Sequence, residues 1–342
     1  MKKLLVGLFA VAMVVAFTAP AMAEWNFYGS ARMSTFYEIE DNSANDDRTS
    51  LTWDKQGNSR FGAKVKANDN GIGGRFEYGT GVNLRLLYGT WDFGGGTLVL
   101  GQDYCPTTDF ISNQVWGADN DLIWYGMPYV GRQPQIKLKA GGLQVALVKP
   151  NVDDLGAGTG VAKLPRVEVA YKVKTDMFFI RPYAGFNTYE IEAAKDETIT
   201  SWLGGFTFGV TPGAFFVKGG AYYSLNPQSY GISMESAIAN GVDEDVNSWG
   251  AQLLAGFKVS DAVTVEAGGG FASYDRDNED ESIADVLDRD ADATDWSAYF
   301  NASVTLAPGF FVVPEVGFRD REDDGTNNQD VFYVGAKWQI NF

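Results

Sequence analysis

No histidine occurs anywhere in the chain, which removes the ordinary general base of hydrolytic enzymes. Serine–histidine and aspartate–histidine hydrolysis are closed to it, and the sequence is read as non-enzymatic, with no cofactor and no metal site. Cysteine is almost as scarce: Cys105 stands alone, which excludes an internal disulfide framework. Beyond Ala23 no uninterrupted apolar run reaches the roughly 18 residues that a membrane helix needs. Bases are the minority charge, 27 Lys and Arg against 44 Asp and Glu, for a formal charge of −17. A chain of that sign does not neutralise phosphates, so nucleic acid is excluded as a partner.

What is abundant points elsewhere. Aromatic residues make up 14% of the chain and glycines number 40, a mixture that favours many short strands joined by tight bends. The segment Met1–Ala23 carries Lys2-Lys3, an apolar run from Leu4 to Phe17 and the small-residue ending Ala21-Met22-Ala23. It reads as a cleaved secretory signal, leaving residues 24–342 as one domain.

That domain is written in period two. In the ending "VFYVGAKWQINF", Phe332, Val334, Ala336, Trp338, Ile340 and Phe342 share one parity, and Tyr333, Gly335, Lys337, Gln339 and Asn341 the other. The same alternation predicts sixteen strands, at 25–38, 58–68, 72–79, 83–93, 96–103, 132–140, 141–150, 164–174, 177–188, 197–210, 213–224, 246–260, 262–274, 294–307, 309–320 and 328–342. Very short turns such as Gly94-Gly95, Gly141-Gly142 and Pro308-Gly309 alternate with long, mostly acidic connections: 40–57, 103–131, 226–245 and 275–292. The stretch "DRDNEDE" (Asp275–Glu281) reads as a solvated acidic loop, with loose divalent binding as the alternative. Tight turns on one rim and long loops on the other, with aromatic residues near strand ends, are the marks of an antiparallel up-and-down transmembrane β-barrel in an outer membrane. Such a barrel must pair its last strand with its first, because an open edge in hydrocarbon leaves backbone groups unsatisfied.

The inward parity is basic. Arg32, Arg60, Lys64, Arg75, Arg85, Lys137, Lys139, Arg166 and Arg181 are among its bases, against the acids Glu77, Glu168, Glu266 and Glu315. So many bases are expected to be solvated in a water-filled lumen, either simply wetting it or biasing it toward anionic or polar solutes.

The stretches "SRFGAKVK" (Ser59–Lys66), "GIGGRFEYGT" and "VNLRLLYGTWDFGGGTLVLGQDY" (Val82–Tyr104), with the terminal aromatic, resemble the early and last strands of the Gram-negative general porins. The resemblance implies a homotrimer of 16-stranded barrels passing small hydrophilic solutes and ions, in contact with outer-membrane lipid and lipopolysaccharide. It also implies a third loop folded inward, its acids facing an arginine row on the wall. Arg60 and Arg85 fall where that row belongs, and Arg32 and Arg75 extend it. Asp103, Asp109, Asp119 and Asp121 are the candidate loop acids. Trp116, Trp124 and Tyr125 either pack the loop on the wall or offer a sugar-stacking surface. The text "CPTTDFISNQVWGADNDLIWYGMPYVG" departs from the family's usual acidic-Phe-Gly-Gly tip, and Thr80-Gly81 is too short to latch a neighbouring subunit. Subunit packing is therefore assigned to outward small residues Gly29, Ala31, Ala63, Ala67 and Gly74. The alternatives to a general diffusion channel are a channel selective for anions or oligosaccharides, and a structural or adhesive surface barrel.

Overall fold

The computed structural model describes residues 23–42, 47–66, 71–81, 83–152, 159–192, 197–232, 245–276, 293–323 and 329–342. The segment read as a signal, up to Met22, lies outside them, as do Ala67 and the acidic stretch beyond Arg276. The strands run β1 (Glu24–Asn42), β2 in two pieces (Arg48–Lys55 and Arg60–Lys66), β3 (Ile72–Gly79), β4 (Leu84–Asp92), β5 (Thr97–Tyr104), β6 (Arg132–Ala140) and β7 (Leu143–Val148). Then follow β8 in three pieces (Thr159–Ala162, Arg166–Tyr171 and Val173–Lys174), β9 (Phe178–Glu192), β10 (Glu197–Val210), β11 (Phe215–Leu225) and β12 (Val246–Lys258). β13 (Val263–Arg276), β14 (Ala293–Ala307), β15 (Phe310–Asp323) and β16 (Gln329–Asn341) complete the order.

Each strand pairs antiparallel with its sequence neighbours, and β1 pairs with β16 from Ser30↔Asn341 to Asn42↔Gln329. The result is a closed antiparallel barrel of 16 strands. Closure extends past the ladder: Gly29 N–H donates to Phe342 O at 2.7 Å and Phe342 N–H to Gly29 O at 3.1 Å. One predicted loop is corrected. Most of 40–57 is strand, because Leu51 and Trp53 continue the outward parity of β1 beside Tyr37 and Thr35.

The period-two reading holds residue by residue. Along β9, Phe178, Ile180, Pro182, Ala184 and Phe186 are exposed on the outside, while Arg181, Tyr183, Gly185 and Asn187 are buried within. Outward aromatics gather at both rims. Trp25 stacks on Phe27 (5.9 Å) and Trp91 meets Phe93 (5.7 Å) at the short-turn rim. Trp249 packs on Phe271 (5.1 Å) and Trp296 on Phe318 (5.0 Å) near the long-loop rim. An exposed apolar belt between two aromatic girdles is the surface that lipid requires. The short turns are made by glycines at positive φ: 86° at Gly94, 56° at Gly141 and 83° at Gly309, values a side chain rarely adopts.

Candidate functional site

β5 stops at Tyr104, and the long segment 105–131 begins inside the height of the wall. Its contacts run around the barrel in chain order. Thr107 donates its N–H (3.0 Å) and hydroxyl (2.9 Å) to Glu168 on β8. Arg181 on β9 donates to Pro106 O, Thr207 on β10 to Asp109 (2.6 Å), and Lys218 on β11 to Ile111 O (3.0 Å). Asn113 gives its N–H and its amide to Glu266 on β13, both at 2.8 Å. Val115 N–H (2.8 Å) and Trp116 N–H (2.9 Å) reach Glu315 on β15, and Gln114 donates to Tyr333 on β16 at 2.9 Å. The wall acids Glu168, Glu266 and Glu315 are therefore acceptors for loop backbone N–H groups, a role that strand parity alone does not reveal.

The tip of the segment reaches the arginine side. Asp119 pairs with Arg32 on β1 (2.5 Å) and Lys337 on β16 (2.9 Å), and Asn58 donates to it at 2.8 Å. Of the four candidate acids, Asp119 is the one set against the predicted row. Asp109 lies 4.0 Å from Arg181, on the far wall. Asp121 lines the same cavity as Asp119, and burial, reinforced by the neighbouring Asp119 charge, pushes its carboxyl well above the ordinary range. Asp103 is a correction: it belongs to β5, where it pairs with Lys137 at 2.5 Å and lies 3.9 Å from Lys139.

The row itself is held by an acid of its own wall. Glu77 is fully buried and accepts from Arg85 (2.8 Å), Arg75 (2.9 Å) and Tyr28 (2.8 Å), with Arg60 at 3.7 Å. Arg75 donates to Glu77 and Tyr28 and does not line the cavity that Arg32, Arg60 and Arg85 share. Beside this wall lies a cavity of about 530 Å³. Arg32, Arg60, Arg85 and Arg132 line it against Asp119 and Asp121, with Tyr104, Phe110 and Tyr129 forming an aromatic corner. Arg132 and this corner are not among the sequence-predicted residues.

The expectation that the inward bases are solvated is corrected in part. Lys64 is exposed, but Lys137, Arg166 and Arg181 are nearly inaccessible. Each is buried with a partner: Lys137 with Asp103, Arg166 with Glu168 (2.9 Å), and Arg181 with Asp109 and Pro106 O. Residues of the segment 105–131 and of 226–232, read from sequence as part of an outer loop, lie against Arg166 and Arg181. Arg166 donates to Ser229 O at 2.8 Å and lies over the Tyr230 ring. Buried ions of this kind survive only in pairs.

Among the loop aromatics, Trp116 stacks on Tyr333 (4.7 Å) and donates to Glu38 (3.1 Å), and Tyr125 is buried against Leu122 and Tyr299. Trp124 is exposed. Two of the five small residues assigned to subunit packing are covered by the chain itself, while Ala31 is exposed. A Cβ on Gly29 would lie 2.5 Å from the Phe342 ring, so that hollow is filled by the chain itself, and Ala63 is inaccessible.

No family model and no curated protein matches the sequence. Solved structures do match. The outer membrane channel DcaP of Acinetobacter baumannii superposes with a TM-score of 0.75 at 16% identity, over 94% of this chain and 98% of that one. A loop-deletion form of OmpT, an outer membrane protein of Vibrio cholerae, gives 0.60 at 15% identity over 93% and 99%. An anion-selective porin from Comamonas acidovorans gives 0.59 at 14% identity over 94% and 100%. At these identities the likeness is one of architecture, and over more than nine-tenths of its length the chain has the fold of the 16-stranded outer-membrane porins.

Proposed function

We propose that this protein is an outer-membrane channel for passive diffusion of small hydrophilic solutes and ions, narrowed by the segment 105–131. The observation that carries the proposal is the set of bonds from Glu168, Glu266 and Glu315 to that segment, which ends with Asp119 paired to Arg32 at the edge of a cavity of about 530 Å³. Inward side chains on opposite sides of a closed cylinder can hold one segment only if it crosses the interior. The open path then runs along the wall of β1 to β6, where the arginines stand.

A bias toward anions is the second reading, favoured by four arginines against two aspartates around the cavity. Membrane lipid on the apolar belt, lipopolysaccharide at the long-loop rim and assembly into a homotrimer belong to the same proposal. The furrow between Trp53 and Trp338, floored by Ala31, Met33 and Thr35, supports a packed outward surface near the β1–β16 seam.

Planar-bilayer recording tests the proposal. Ohmic conductance steps with a modest reversal potential in a salt gradient are expected. Saturable block by one solute would favour a selective channel, and no steps would leave a structural barrel. A Glu315→Gln, Glu266→Gln double variant should raise the conductance by loosening the segment, and an unchanged conductance would remove it from the path.

A further inference from the structure

β2 is interrupted between Lys55 and Arg60. Lys55 pairs with Met33 and Arg60 with Ser30, so the stretch from Gln56 to Ser59 stands opposite only Ala31 and Arg32. The excess forms a bulge pinned to β1. Gln56 N–H donates to Arg32 O (3.0 Å), Arg32 N–H donates to Ser59 Oγ (2.9 Å), and Ser59 N–H donates to Gln56 O (3.0 Å). Bulges re-aim side chains, and this one turns Asn58 inward. Asn58 Nδ2 donates to both Ala118 O and Asp119 Oδ2, each at 2.8 Å, while the main-chain carbonyl of Asn58 accepts from Arg60 Nε at 3.0 Å.

The segment that Asn58 grips is strained. Ala118, Asp119, Asp121 and Leu122 have φ of 65°, 61°, 55° and 58°, beside Gly117 at 64°. Residues with a Cβ hold such a conformation only when their surroundings over-determine it. The ion pairs of Asp119 with Arg32 and Lys337 fix a charge but not the backbone that carries it. A directional bond onto the tip backbone does, and Asn58 supplies one at Ala118, with Gln114 Oε1 accepting from Leu122 N–H at 3.1 Å as its counterpart.

We propose that Asn58 is the positioning residue of the constriction, fixing Asp119 on one side and Arg60 on the other, so that the β2 bulge sets the spacing of the two charged faces. This role rests on the proposal that the barrel conducts. Asn58→Ala removes two hydrogen bonds to the tip, and each one of about 1 kcal/mol makes a released tip roughly five-fold more populated.

The test compares single-channel recordings of the wild type, Asn58→Ala and Asn58→Gln in a salt gradient, alongside the temperature at which the folded band is lost in semi-native gels. Asn58→Ala should keep the melting temperature but add open-channel noise, sub-levels and a changed reversal potential. Asn58→Gln, which keeps the amide, should return the trace toward wild type. An Asn58→Ala trace as quiet and as selective as wild type overturns the inference, as does a variant that only melts earlier. A silent wild-type barrel would instead remove the channel proposal and this role with it.

Discussion

Arg32 of β1 and Asp119 at the tip of the segment 105–131 form an ion pair 2.5 Å long. Asp119→Asn removes a negative charge from a water-filled cavity and frees Arg32 and Lys337. At about 5 Å in water one unit charge acts with about 0.8 kcal/mol, so at low salt anions should gain and cations lose roughly four-fold each, and the anion-to-cation permeability ratio should rise by the product, about sixteen-fold. Reversal potentials in a salt gradient measure it. Because the effect is electrostatic, it should shrink as the ionic strength is raised, when the Debye length falls to about 3 Å at 1 M.

Glu77→Gln keeps the shape of a buried carboxylate but takes away the charge that Arg85, Arg75 and Arg60 share. Breaking a buried pair from one side leaves its partners uncompensated and costs about 3–5 kcal/mol. The denaturant midpoint of the barrel in detergent should fall accordingly. Glu190→Gln is the comparison, since its pair with Lys163 is half-exposed and worth little. Equal midpoints for the two variants would mean that Glu77 is not structural.

The barrel was legible in the sequence because lipid outside and polar contacts inside impose one rule on every strand. Arg181, Tyr183 and Asn187 obey it as plainly as the terminal Tyr333 and Lys337. Arg48–Lys55 was hidden by flanking charges, which made a strand end look like an acidic loop. The site was half legible. Parity put Arg32, Arg60 and Arg85 on the inner wall, but it is silent on which inner positions a loop will cover, and so it could not separate the cavity-lining Arg60 from the buried Arg166. Nor could it rank Asp109, Asp119 and Asp121, because an irregular segment has no period. Asn58 left no signal beyond one break in an otherwise regular strand.

Gly29 leaves room for the ring of the last residue. Its missing Cβ would stand 2.5 Å from Phe342 Cε2, so Gly29→Val must push the terminal ring off the seam that both residues close. Overpacking of this kind costs about 1–3 kcal/mol, and the temperature at which the folded gel band disappears should fall. Gly204→Ala is the control, because a Cβ there meets nothing within 4 Å. Similar losses for the two would show general sensitivity of strand glycines and no special seam.

Asp121 gives the channel a pH dependence outside the ordinary carboxylate range. Burial, followed by the neighbouring negative charge of Asp119, raises its pKa, so the folded barrel binds this proton more tightly than the unfolded chain does. Acidification therefore neutralises Asp121 while ordinary aspartates on the rims are still ionised, and that proton favours the folded tip. The cavity loses one of its two aspartate charges and keeps all four arginines. The reversal potential should move toward anions as pH falls through that upper range, before the general titration of surface carboxylates sets in. Asp121→Asn should lose that early leg, starting anion-shifted at the alkaline end of the titration where the wild-type carboxyl is ionised, while keeping the later one. A variant whose pH profile still overlays the wild type would assign the early leg to another group.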